Sequence, residues 1–264
     1  FLSFAVKMPL VPFHIWLPEA HCEAPTSGSV ILAGILLKLG GFGFLRYSIG
    51  LFPDSSAYFT PFIFVISILG IVYASITTIQ QVDLKKIIAY SSVGHMGVVT
   101  IGLFSSASQS ILGSIFLMVS HGIVSGALFL CIGIVYERHH TRVIKYYSGL
   151  LTTMPLFAIF FTLFTMANIG LPGTSSFIGE FLIIAGCLLT NSWGAFFAAS
   201  GMVLGGGYSL WLLNRILFGN IKNFSIQEYK DLTRIEFYYL LPYGFLTIVL
   251  GLFPELLINY IYVV

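Results

Sequence analysis

Long apolar runs succeed one another along the chain with short polar breaks between them. Each is about twenty residues, the length of helix that crosses the hydrocarbon core of a bilayer. They lie near residues 1–17, 27–48, 58–80, 85–104, 111–136, 152–189, 193–218 and 237–262. The pattern predicts an all-α polytopic membrane protein with about eight transmembrane helices. A transmembrane barrel would show segments of about ten residues alternating in polarity, which this pattern lacks. The sixth run is too long for one straight span and contains Pro172 and Gly173, which predicts a discontinuous helix. A second break is predicted near the start, where Pro9, Pro12, Pro18 and Pro25 exclude a regular helix through residues 9–25.

Composition agrees with the pattern. Charged residues make up 8% of the chain, against about 25% in soluble domains, and the mean hydropathy is +0.95. Numbering the span ends alternately gathers Lys85, Lys86, Arg138, Arg142, Lys145, Lys222, Lys230 and Arg234 on one side, with Arg46 alone opposite. That asymmetry places the first side in the cytoplasm or, for an organelle-encoded protein, the matrix. Leu17–Thr26 falls on the basic side and Asp54 opposite. A net charge of +2 does not suggest nucleic-acid binding. Cys22, Cys131 and Cys187 lack metal-like spacing and are read as packing groups. The Asn223-Phe224-Ser225 sequon lies on the basic side and is set aside as a glycosylation site.

Against this apolar background a few ionisable side chains stand out. Lys38 sits in VILAGILLKLGGFGFL, midway between Ser27 and Tyr47 and hence near mid-bilayer. A charge at that depth costs about 3 kcal/mol or more and belongs beside a polar pathway or a partner. Lys7 directly precedes the break KMPLVP, and Glu180 follows the break in LPGTSSFIGEF. Charge beside a broken helix is how transporters and proton relays are built. Lys7 could also be a snorkelling anchor, although Phe1–Val6 flanks it with apolar residues. His95 in IAYSSVGHMGVV and His121 in FLMVSHGIVSGAL lie beside small residues that let helices approach closely. Either alone reads as a satisfied core histidine. With Lys7, Lys38 and Glu180 they read as a proton relay, because imidazole both donates and accepts near neutrality. His14, Glu19, His21 and Glu23 add titratable groups toward the basic side. Lys85 and Lys86 are expected at the interface, with Lys86 the one able to reach inward. No phosphate loop, dinucleotide fingerprint, cysteine cluster or haem motif occurs, so the sequence offers proton-capable groups and no redox centre.

The segments FAVKMPLVPFHIWLPEAHCEAPTSGSVILAGILLKLG, DLKKIIAYSSVGHMG, SHGIVSGALFL, YERHHTR and LPGTSSFIGEFLI, in this order, resemble one family over essentially the whole chain. It is that of subunit 4 of mitochondrial NADH:ubiquinone oxidoreductase (respiratory complex I), among the antiporter-like proton-translocating subunits. The resemblance implies an inverted-repeat fold with two broken helices and an incomplete first repeat. Residues 1–48 would end the first repeat, 49–219 would form the second, and 220–264 would hold a basic-side loop and the final span. Lys7 would match the lysine of the first broken helix, Lys38 the central lysine, His95 and His121 the linking histidines, and Glu180 the terminal acid of the second broken helix. It further implies a place in the mitochondrial inner membrane with basic loops in the matrix.

The same resemblance implies that NADH, FMN, Fe–S clusters and ubiquinone belong to partner subunits, with no cofactor in this chain. The expected partners are the other membrane-arm subunits, especially the neighbouring antiporter-like ones, membrane lipids, and a separate chain supplying missing N-terminal helices. Protons would enter from the basic side, hop through the five residues and intervening water, and leave opposite from the Glu180 end. A subunit of a multi-component Na⁺/H⁺ antiporter is the alternative. A structural segment that has lost transport would be expected to lack the buried lysines.

Overall fold

The computed structural model describes residues 1–220 and 230–262, so Lys222 and the sequon lie outside the described residues. It is helical throughout: α1 (Leu2–Lys7), α2 (Trp16–Glu23), α3 (Thr26–Ile49), α4 (Pro53–Gln80), α5 (Leu84–Phe104), α6 (Ser108–His139), α7 (Pro155–Ile169), α8 (Ser175–Thr190), α9 (Ser192–Leu217), α10 (Arg234–Leu252) and α11 (Glu255–Tyr262). Six of these, α3–α6, α9 and α10, are long and apolar enough to cross a membrane. The all-α polytopic architecture read from the sequence is the one observed. Both predicted breaks are present. The first separates α1 from α2, and the second separates α7 from α8.

Local chemistry explains where the helices stop. Gly170 closes α7 in the left-handed conformation at φ +82°, which only glycine adopts without strain. Asn191 caps α9 by accepting from the amides of Trp193 and Gly194. Thr233 and Glu236 form a reciprocal capping box at the start of α10. The first turn of α7 is capped from a distance, its Leu156 and Phe157 amides donating to the Asp231 carboxylate.

The helices pack through glycines. A Cβ on Gly113 of α6 would lie 2.8 Å from the Ile183 amide of α8, and one on Gly179 of α8 would lie 2.8 Å from Leu117 of α6. Such close approach supplies the dispersion contacts that hold membrane helices together, since lipid tails offer no hydrophobic drive between them. Three apolar clusters result among the described residues. Of the two large ones, one holds Ile88, Val124, Leu128, Phe129 and Phe161, and the other Met96, Val99, Leu117, Phe44 and Ile183; the small third is Leu17, Leu37, Ala74 and Val93. Phe59, Phe62, Val65 and Phe245 are among the exposed apolar side chains, as befits a lipid-facing surface.

Three of the basic residues meet the Leu17–Thr26 segment. Lys86 pairs with Glu19 at 2.8 Å, Lys85 donates to the Ala24 carbonyl at 2.8 Å, and Arg142 donates to the Cys22 carbonyl. Arg138 bridges α6 to Glu236 of α10 at 2.6 Å. One sequence expectation is corrected here. Lys85, not Lys86, is the inward lysine: it is 2% exposed, whereas Lys86 reaches out to its acid partner.

Gly113→Val should drive α8 off α6. Overpacking of this kind costs about 1–3 kcal/mol, enough to lower the thermal unfolding midpoint of detergent-purified protein by several degrees. Gly207→Ala is the matched control, since a Cβ there meets nothing within 4 Å, and it should leave the midpoint unchanged or slightly raised.

Candidate functional site

Lys38, His121, His95 and Glu180 each come from a different helix, α3, α6, α5 and α8. Along all four helices they fall at or beside the junction of the two large apolar clusters. Ala33 and Phe44 bracket Lys38, Ala89 and Met96 bracket His95, and Leu117 and Val124 bracket His121, with each pair split between the clusters, while Glu180 comes just before Ile183. A polar layer is thus held between the two large clusters, and the small third one reaches it at Leu37 and Val93.

Glycine makes the first contact possible. Gly34 and Gly122 let α3 and α6 touch, a Cβ on Gly122 falling 2.9 Å from the Gly34 carbonyl and 3.6 Å from Cε of Lys38. Lys38 sits in a short α-helical stretch, Leu37–Gly43, flanked by two π-helical turns, Leu32–Leu36 and Phe44–Ile49. Wide turns of this type free carbonyls and recur at functional sites. The Lys38 ammonium donates to the Ala33 carbonyl at 2.5 Å and meets Nδ1 of His121 at 2.8 Å. A neutral His121 accepting there carries its proton on Nε2.

The line continues inward. The His121 and His95 rings lie 5.4 Å apart between centroids, and Nδ1 of His95 is 3.2 Å from Oε1 of Glu180. Glu180 is 2% exposed, so its ionised form depends on this partner. Nε2 of both histidines is buried without a hydrogen-bond partner among the described residues. A proton crossing between the rings therefore needs ring rotation or water.

Lys7 is not joined to the other four. It is exposed at the end of α1, touching the Lys38 helix through Gly40, whose Cβ would lie 3.2 Å from that of Lys7. A helix of six residues followed by an irregular stretch turns the lysine outward, and it makes no ion pair among the described residues. His21 goes the other way: it is fully buried and stacked on Phe129 at 4.4 Å, inside the basic end. Sequence reasoning missed Ser75, Asn168 and Tyr208, which line a small cavity with His95 and Glu180. Uncharged polar residues at helix-packing positions carry no signal that separates a site from a helix contact.

A family model described as NADH:quinone oxidoreductase/Mrp antiporter, transmembrane, matches residues 1–205. The chain belongs to that family. Its relatives include the NADH-ubiquinone oxidoreductase chain 4 of Chondrus crispus, 59% identical over 99% of this chain and 53% of that protein. The NADH-quinone oxidoreductase subunit M of Rhodobacter capsulatus is 51% identical over 99% of this chain and 51% of its own length. This family member thus spans about half the length of these relatives. Among solved structures, a chain of respiratory complex I from Thermus thermophilus superposes with a TM-score of 0.89 at 33% identity, covering 96% of this chain and 53% of that one. A chain of the Mrp complex of a Dietzia species gives the same TM-score at 21% identity, over 97% of this chain and 56% of that one, which shows the shared fold.

The contact that opens the polar line can be tested by stability alone. His121→Phe leaves the Lys38 ammonium with only the Ala33 carbonyl and should cost about 3 kcal/mol. Adding Lys38→Met should recover most of that loss, because a matched apolar pair strands no polar group. Thermal unfolding of the four proteins of the cycle measures the coupling.

Proposed function

We propose that this chain is a membrane-arm subunit of respiratory complex I, conducting protons across the mitochondrial inner membrane. NADH:ubiquinone electron transfer in partner subunits, which hold the FMN, Fe–S clusters and quinone, drives it. The single observation that carries the reading is the polar line Lys38–His121–His95–Glu180, on four helices and sandwiched between apolar clusters, with one gap between the two histidine rings. Such a line has no structural need that apolar side chains would not meet better. The names of the relatives at 51–59% identity supply the coupling partner.

In this reading protons are taken up from the basic, matrix-facing end, pass to Lys38, and move by histidine and water to Glu180, from which they leave on the opposite side. Moving one charge against 100 mV costs about 2.3 kcal/mol, which partner redox chemistry must provide. Lys7 lies beside the Lys38 helix, where a change in its ion pairing would act on Lys38 through a low-dielectric path. The first-repeat, second-repeat and terminal divisions at 1–48, 49–219 and 220–264 are part of the same proposal, as are contacts to the neighbouring antiporter-like subunits.

Lys38→Ala should lower the protons moved per electron pair while the complex still assembles. Pumping measured against NADH oxidation in sealed membranes decides, and an unchanged ratio sinks the relay. The fold match to the Mrp complex supports a second reading, a Na⁺/H⁺ antiporter subunit. Sodium-dependent transport without NADH would decide for it.

A further inference from the structure

Glu180 engages only one of its two oxygens in the polar line. Oε1 faces His95, while Oε2 is buried with no hydrogen-bond partner among the described residues. Leaving a buried acceptor in that state is costly, so a further donor is required. The backbone makes room for this oxygen: a Cβ on Gly170 would lie 2.5 Å from it, and the turn's φ of +82° favours glycine there. Beside it is a cavity of about 10 Å³, the space of a single water molecule. Its polar lining is Ser75, His95, Asn168, Glu180 and Tyr208, which supplies the two to four partners a buried water needs.

Tyr208 is the telling member of this set. It is 4% exposed in the middle of α9, and its hydroxyl faces Ser91, Asn168 and Glu180. A tyrosine that merely packed would bury its ring and send its hydroxyl to the interface. Here the hydroxyl is turned into the protein, among the polar groups that line the cavity with His95. We infer that the cavity is a built site for one ordered water that donates to Oε2 of Glu180 and accepts from the Tyr208 hydroxyl. Tyr208 is then a positioning residue, fixing the second oxygen of Glu180 while His95 fixes the first. With both oxygens held, the carboxylate keeps its orientation whether or not His95 carries a proton. The functional part of this inference rests on the relay reading above; the water site does not.

High-resolution electron cryomicroscopy of the assembled complex should show one density within hydrogen-bonding distance of both Glu180 Oε2 and the Tyr208 hydroxyl. Tyr208→Phe keeps the ring and removes only the oxygen. It should abolish that density and shift the carboxyl band of Glu180 in infrared difference spectra, the band being assigned by its loss in Glu180→Gln. It should also slow proton pumping by about two- to tenfold, the worth of one hydrogen bond in a rate. No density in the unmodified complex, or an unmoved band in Tyr208→Phe, overturns the proposal. Density that appears only in sodium and not in potassium also overturns it, by making the occupant a cation. If the density and band behave as expected while Lys38→Ala leaves pumping unchanged, the relay reading falls and the water site stands.

Discussion

The structure depends on keeping charge inside a medium that rejects it. An isolated ammonium or carboxylate at the middle of a bilayer costs several kcal/mol, and only another polar group at hydrogen-bonding distance offsets that. Lys38 and Glu180 meet this demand through histidines on two other helices. Every other feature of the core serves that end. The glycines bring backbones close enough for the side chains to meet, and the two large apolar clusters pack on either side of the polar groups.

Broken helices supply what continuous ones cannot. Where α7 stops at Gly170 and α8 starts at Ser175, the tight turn at Gly170 lies against the Glu180 carboxylate. On α3 the π-helical turns either side of Lys38 do a milder version of the same thing, giving its ammonium the Ala33 carbonyl as a second partner. Histidine is the natural link between the two ends because it alone donates and accepts in one rigid ring. The basic end is built on different terms. There Lys86, Arg138 and Arg142 find acids or helix-end carbonyls, tying α2, α5, α6 and α10 together.

Lys38 and Glu180 were visible in the sequence because charge inside an apolar run has few innocent explanations. His95 and His121 were weaker signals, made readable by their number and by the small residues beside them. Lys7 looked equivalent to Lys38 on the same reasoning, yet it lies exposed at a helix end, because flanking apolar residues do not say which way a side chain turns. Lys85 and Lys86 show the limit again: adjacent residues on a helix point about 100° apart, and only the packing of α2 decides which one is buried.

By itself, the sequence determined the membrane class, the positions of the six spanning helices and both breaks, and which residue types could carry protons. These follow from hydropathy, proline geometry and the cost of buried charge, all of which are local. Tertiary structure alone decided that Lys38, His121, His95 and Glu180 form one line, that Lys7 stands outside it, and that Tyr208 and Asn168 close its far end. Those relations depend on helix rotation and on which glycine faces which neighbour, quantities set by three-dimensional packing and not by the order of residues along one helix.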